Sequence, residues 1–188
     1  MRQWLPFFSL FILSGGCRGT PFLVANFEKE YRPKLKTVVF MPFSIPKSNN
    51  LAENHRQKLE EVITRSIVER DSMRAFIFPA GLRLRFESRS DSSILQIPGD
   101  SLTKLFSSDA LLFTNVIRLY ESAGSNPTTR EIGASKFQRR GVELLAEFRL
   151  VETVTGKLLW RYRVWRFGED VETVSQRVGR AVAEAWPL

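Results

Sequence analysis

The sequence predicts an α/β fold: a mixed sheet of about five strands with two long helices and a short one, in two or three layers. Two observations predict it. Early in the chain, a strand, a long amphipathic helix and a second strand follow one another. Near the end, two alternating strands joined by a short turn precede a segment with helical spacing. The predicted order is βαβ-α-β-ββ-α, which is typical of one mixed sheet with helices packed on it.

The first unit is a parallel strand–helix–strand. Residues 36–43 form a β-branched and aromatic run that ends near a proline, as expected for a strand buried on both faces. A helix is predicted from about Leu51 to Arg70, with Asn50 as its cap and Glu53 three positions on. Residues 75–79 predict the second strand, and a crossover of this length suits a right-handed parallel pair. The apolar stripe of the helix consists of Leu51, Leu59, Val62, Ile63 and Ile67.

The middle of the chain has weaker patterns. Arg83, Arg85 and Arg89 alternate with apolar residues and predict a short edge strand blunted by charge, or else a contact for anionic polymers. Asp100 is predicted to cap a short helix that ends at about Ser107. A long strand is expected over residues 109–120, and residues 122–139, rich in Gly, Ser, Asn, Pro and Thr, predict a loop. The inward residues of the short helix are predicted to be Leu102, Leu105 and Phe106.

The last third has the clearest alternation. Residues 142–150 and 157–165 predict an antiparallel hairpin around a turn at residues 153–156. Asp170 is predicted to cap a final helix. One face of the hairpin carries Val142, Leu144, Ala146, Phe148 and Leu150 on the first strand, and Leu158, Trp160, Tyr162 and Val164 on the second. The buried face of the final helix carries Val171, Val174, Val178, Val182 and Trp186.

The first seventeen residues resemble a bacterial lipoprotein signal. Arg2 precedes a short apolar run at residues 5–13, and Ser14-Gly15-Gly16 lead to Cys17. Ser14 stands where an aliphatic residue is usual, so the lipobox is relaxed, as in spirochaetes. The run is about half the length of a membrane-spanning helix. We expect a signal peptide at residues 1–16, a lipidated Cys17 with a tether at residues 17–35, and one domain at residues 36–188. A signal peptide cut elsewhere, or a structural N-terminal segment, is the alternative.

Composition limits the partners. The chain is 43% hydrophobic and 26% charged, which is ordinary for a folded domain. Its formal net charge of +8 favours anionic partners. An exported chain rarely meets nucleic acid, so we expect anionic lipid or glycan instead. Cys17 is the only cysteine, and acylation explains it better than redox or metal chemistry.

Three short sequence segments resemble those of a known group of proteins. Residues 38–43, 108–112 and 150–160 are similar to the first strand, the entry to the third strand and the hairpin of bacterial envelope proteins of the CsgG/LpoB/PelC group. The resemblance covers roughly residues 36–186, and it implies an α/β domain of a lipid-anchored protein in envelope assembly or export. The sequence has no paired amphipathic strands of about 10 residues with aromatic girdles, so a pore is not expected.

Motifs for catalysis are missing from the sequence. His55 is the only histidine and is expected to have a packing or surface role. With no second histidine and no thiol besides Cys17, a zinc site is not expected. The sequence contains no Gly-x-Ser-x-Gly elbow, no Walker loop and no Gly-x-Gly-x-x-Gly motif. We therefore expect neither a cofactor nor an enzyme.

Arginines and aromatic residues share one face of the last predicted strand. Arg161 and Arg163 lie opposite Glu143 and Glu147 in the hairpin, which predicts cross-strand ion pairs. The functional alternative is a partner-binding surface of Arg161, Arg163, Trp165 and Phe167, because exposed aromatic residues with arginine favour protein partners.

Three hypotheses for function follow. The first is a lipid-anchored, non-enzymatic accessory protein that presents its domain to an envelope protein. Arg18, in place of the Asp that retains many lipoproteins at the inner membrane, favours the outer membrane facing the periplasm. The second is a homo-oligomeric component of a secretion or polysaccharide-export complex. The third, less favoured, is an enzyme acting on glycans or lipids, which predicts a deep pocket with converging polar groups.

Overall fold

The computed structural model describes residues 23–24, 34–46, 48–78, 93–94, 96–123 and 140–188. The strands are β1 (Leu23–Val24), β2 (Thr37–Phe40), β3 (Ala75–Ile77), β4 (Ala110–Ala123), β5 (Arg140–Glu152) and β6 (Leu158–Gly168). The helices are α1 (Asn50–Asn54), α2 (Arg56–Arg70), α3 (Gly99–Phe106) and α4 (Val171–Glu184). Among these described segments, no helix combines the length and the apolarity needed to span a membrane.

The strands form one mixed sheet in the order β1-β6-β5-β4-β2-β3. β2 pairs in parallel with both β3 and β4, so the predicted parallel strand–helix–strand unit is confirmed. β4, β5 and β6 form an antiparallel meander, which contains the predicted hairpin. The sixth strand comes from the predicted tether, where Leu23 pairs with Tyr162. The α/β fold class and its mixed sheet are as predicted.

The main core lies between the sheet and the two long helices. Leu59, Ile63 and Ile67 of α2 are fully buried in it, together with the inward residues of β5 and β6. α2 and α4 approach closely where α4 carries Gly179, because a Cβ added there would lie 2.5 Å from Ser66 Oγ. A smaller core on the opposite face lies beneath α3, from which Leu102 and Phe106 are buried. The sheet is therefore covered by helices on both faces at one end.

Side-chain hydrogen bonds hold the ends of β2. Asp109 Oδ2 accepts from the backbone N–H groups of Lys36 (2.8 Å) and Thr37 (2.9 Å). Beyond the strand, Phe43 donates its N–H to Glu60 Oε1 (3.1 Å), and its carbonyl accepts from Arg56 Nη1 (2.5 Å). Polar partners thus satisfy backbone groups at both ends of this short strand.

The long predicted helix is interrupted. Asn49, not Asn50, is the cap, since its side chain accepts from the Ala52 N–H (3.0 Å). At His55 the backbone leaves the helical region (φ −108°, ψ 9°), which separates α1 from α2. Leu51 and Val62 are only partly buried. Thr64 takes a buried position on the stripe because its hydroxyl donates to the Glu60 carbonyl (2.5 Å).

Three further predictions are wrong in detail. Pro98, not Asp100, precedes α3, and Leu105 is exposed because only Leu102 and Phe106, one helical turn apart, face the core. Leu158 is also exposed, since the register of β5 and β6 shifts between Leu150 and Val151. Leu159 is the extra residue of this bulge and takes the buried position.

The turn and the last helix are confirmed. Gly156 has φ +70°, which a glycine adopts without strain. The Asp170 side chain accepts from the Thr173 N–H (2.7 Å) and caps α4. All five residues of the predicted stripe, from Val171 to Trp186, are buried. Cys17, the arginines of the predicted edge strand and residues 124–139 of the predicted loop lie outside the described residues.

Candidate partner-binding surface

β4, β5 and β6 present one sheet face away from α2 and α4, and α3 covers only its end near Leu111 and Phe113. We call this surface the outer face. Strand alternation places on it the side chains that do not enter the main core. They are Asn115, Arg118 and Tyr120 of β4, Glu143, Leu145, Glu147 and Arg149 of β5, and Arg161, Arg163, Trp165 and Phe167 of β6.

Glu147 lies at the centre of a charge cluster on the outer face. The register pairs it with Arg163 on β6, while Arg161 lies opposite Arg149. Glu147 Oε2 accepts from Arg161 Nη2 (2.7 Å) and from Arg163 Nη2 (2.7 Å) and Nε (3.1 Å). Arg149 Nε lies 3.8 Å from Glu147 Oε1. The predicted cross-strand ion pairs are therefore present for Glu147. The prediction is wrong for Glu143, which the register places opposite Phe167.

The arginines control the ionisation of Glu147. Its side chain is only 8% exposed, and this burial would by itself raise its pKa. The hydrogen bonds and positive charges of Arg161 and Arg163 outweigh burial, so the pKa lies below its usual value. Glu147 is thus a buried carboxylate held ionised by two half-exposed arginines.

A second cluster on the outer face is aromatic. Glu143 Oε2 accepts from Trp165 Nε1 (3.2 Å) and from the hydroxyl of Tyr120, so one carboxylate bridges β4 and β6. The Arg118 guanidinium lies 5.7 Å from the centre of the Tyr120 ring. The hydrogen bond to Glu143, aided by burial, raises the pKa of Tyr120. Trp165 remains 51% exposed and Tyr120 38%.

Phe167 differs from the other predicted surface residues. It is partly buried, and its ring fills the space over Gly141: a Cβ added there would lie 2.1 Å from Phe167 Cζ. Gly141 is therefore required for this ring to pack against β5. Arg161, Arg163 and Trp165 project from the sheet, whereas the ring of Phe167 lies against β5 at Gly141.

Sequence reasoning missed Arg118 and Tyr120. The register of β4 and β5 shifts between Val116 and Arg118, so Ile117 is an extra residue in β4. Before this bulge the odd-numbered residues Phe113 and Asn115 face outward, and after it the even-numbered ones do. Strict alternation along β4 consequently assigns the wrong face to its second half, and no signal in the sequence marks the bulge.

Two cavities formed by described residues lie away from the outer face. One, of about 560 Å³, is a largely apolar groove lined by Phe40, Phe43 and Phe78 beside α2. The other, of about 650 Å³, is lined by His55 and by charged residues near the start of α4. Two of these charged residues have structural roles, since Asp170 caps α4 and Glu172 accepts from Lys58 Nζ (2.6 Å). Within the described ranges, no group of three or more His, Cys, Asp or Glu residues is placed to hold a metal ion.

Replacing Glu147 with Gln is expected to lower the free energy of unfolding by about 1–2 kcal/mol at pH 7. Because the folded-state pKa is lowered, Glu147 stabilises the fold above its unfolded pKa of about 4.3. This stabilisation is lost as the pH falls through the folded-state pKa. Urea unfolding should therefore show a difference between wild type and variant that shrinks from pH 7 towards pH 3.

The exposed Lys58–Glu172 pair provides the control. Glu172→Gln should lower stability at pH 7 by less than Glu147→Gln does, because solvent screens this pair. A difference between wild type and Glu147→Gln that stays constant across the pH range would contradict the charge cluster.

Comparison with known proteins finds similarity in structure only. No protein-family model and no curated protein sequence matches the chain. Among solved structures, a PelC dodecamer from Paraburkholderia phytofirmans matches with a TM-score of 0.51 and 10% identity, covering 80% of this chain and 87% of that one. The hypothetical protein CT253 from Chlamydia trachomatis matches with a TM-score of 0.51 and 13% identity, over 80% of this chain and 95% of that one.

Lipoprotein GNA1162 from Neisseria meningitidis matches with a TM-score of 0.49 and 16% identity, over 79% of this chain and 94% of that one. At these identities, the matches with PelC and CT253 establish the fold alone. The chain thus has a PelC-like α/β fold.

Proposed function

We propose that this protein is a lipid-anchored, non-enzymatic accessory protein of the bacterial cell envelope, and that its outer face binds a protein partner. One observation carries the proposal: a three-stranded face keeps Trp165 and two arginines at least partly exposed while the opposite face of the sheet is packed against helices. Tryptophan, tyrosine and arginine are the residue types that dominate binding energy at protein interfaces.

The charge of the outer face specifies the partner further. Four arginines (Arg118, Arg149, Arg161 and Arg163) and two glutamates (Glu143 and Glu147) lie on it, so its formal charge is +2. The whole chain carries +8. An acidic protein surface complements this charge and is drawn towards it before contact. Anionic glycan or lipid is a secondary contact, because it carries negative charge as an acidic protein surface does.

Cys17 supplies the anchor in this proposal. Several acyl chains give stable membrane attachment where a single chain gives only reversible binding. Leu23 already pairs with Tyr162 in the sheet. The six residue steps from Cys17 to Leu23 span at most about 22 Å when fully extended. The domain at residues 36–188 is thus held close to the membrane, which we assign to the outer membrane facing the periplasm.

Self-association is the second candidate. The fold is similar to that of PelC, whose structure is a dodecamer, with a TM-score of 0.51. In such an assembly the outer face would contact a second copy of this chain in place of a different protein. The protein would then be a structural component of an export or secretion complex.

Cys17→Ala is expected to abolish incorporation of a fatty-acid analogue during growth and to release the protein from the membrane fraction. Cys17 is the only cysteine, so no other thiol can accept the acyl chain. Ser14→Leu, which restores the usual aliphatic residue of the lipobox, should preserve labelling or increase it. Labelling that survives Cys17→Ala would contradict the proposed anchor.

A photocrosslinking residue in place of Trp165 is expected to give an adduct with one envelope protein in living cells. The same residue in place of Glu172, on the helical side, should not give this adduct. Combining Arg161→Gln and Arg163→Gln with Glu147→Gln should remove it, because the arginines are lost without leaving a buried carboxylate unpaired. An adduct only with a second copy would identify self-association. No adduct at position 165 would contradict both candidates.

A further inference from the structure

We take from the proposed function that the outer face binds a protein, and we infer that Glu143 is a positioning residue that fixes Trp165 and Tyr120 to receive an aromatic side chain from an acidic segment of the partner. The inference depends on the proposed function because it specifies the chemistry of that partner.

Trp165 and Tyr120 form an aromatic pair that one carboxylate holds in place. Trp165 and Tyr120 come from strands on either side of β5, and a single oxygen, Glu143 Oε2, accepts from both polar ends. Exposed aromatic side chains normally lose rotamer freedom when a partner binds. In this case the bridging carboxylate has already restricted both rings, while the indole stays half exposed. The pair is therefore pre-organised before any partner arrives.

Arginines lie beside both rings of the pair. Arg118 lies over the Tyr120 ring, and Arg163 precedes Trp165 by two residues on the same strand face. Residues two apart on a strand are about 7 Å from each other. A partner segment that places an acidic and an aromatic side chain at this spacing would meet Arg163 and Trp165 together. Arginine pairs with a carboxylate through charge-assisted hydrogen bonds, and two aromatic rings attract each other through stacked or edge-to-face contacts.

Glu143 places a negative charge on a face that attracts acidic partners. If charge alone mattered, removing Glu143 should therefore strengthen the binding of an acidic partner. If Glu143 instead holds the rings, its removal should weaken binding of ligands that use them. The sign of the change therefore separates the two roles.

The test measures binding of full-length protein in detergent to two soluble probes, poly-glutamate and a random copolymer of glutamate and tyrosine, at the same length and ionic strength. Wild type is expected to bind the copolymer about tenfold more tightly than poly-glutamate, since two ordered rings are available for the tyrosines. Glu143→Ala should lose this preference and bind poly-glutamate at least as well as wild type.

Two variants control the test. Glu143→Gln keeps a carbonyl acceptor for Trp165 and should retain most of the preference. Glu121→Ala, a matched loss of one exposed carboxylate from β4, should retain all of it. Thermal unfolding of each variant establishes that the fold is intact.

Three results would overturn the inference: equal binding of both probes by wild type, a preference unchanged in Glu143→Ala, or binding of dextran sulfate that depends on Glu143 as the copolymer does. The last would assign the rings to a glycan. None of these results affects the fatty-acid labelling of Cys17 or the crosslinked adduct at position 165. Those two experiments test the proposed function, so its failure can be told apart from failure of the role of Glu143.

Discussion

The antiparallel meander of β4, β5 and β6 is the constraint on which the rest of the structure depends. Side chains alternate across its strands, so each residue is committed to the helical side or the outer face. Phe148 and Trp160 are buried on the helical side, where α2 and α4 cover them. The same alternation leaves Arg163 and Trp165 exposed on the other side. The same strand register therefore determines both which residues form the core and which residues form the candidate site.

Glu147 links that register to the chemistry of the outer face. A buried carboxylate is unfavourable without partners, and Arg161 and Arg163 supply them only when β5 and β6 pair as observed. A slip of one residue would put Glu147 into the apolar core. The cluster therefore specifies the strand pairing while it keeps two arginines fixed at the surface. Glu143 acts in parallel on Trp165 and Tyr120, so both halves of the face are organised by a carboxylate on the central strand.

Local patterns predicted much of the fold and half of the candidate site. Strong periodicity made the hairpin and the buried stripe of α4 predictable, together with the Asp170 cap at the start of that helix. The Glu147–arginine pairs follow from the alternation of the hairpin. The interruption at His55 and the bulge at Ile117 depend on tertiary packing and leave no composition signal. Because of that bulge, Tyr120 and Arg118 could not be assigned to the outer face beforehand. β1 was not predicted, because a strand of two residues is too short to show an alternating pattern.

The outer face must stay open in the intact protein if it binds a partner, and 19F NMR of full-length protein labelled with 5-fluorotryptophan tests this most directly. A soluble paramagnetic agent broadens resonances according to their exposure. Trp165 is 51% exposed, whereas Trp160 and Trp186 are buried. The account predicts strong broadening of the resonance that Trp165→Phe removes, with those of Trp160 and Trp186 protected. Protection of Trp165 equal to that of the two buried tryptophans would contradict it.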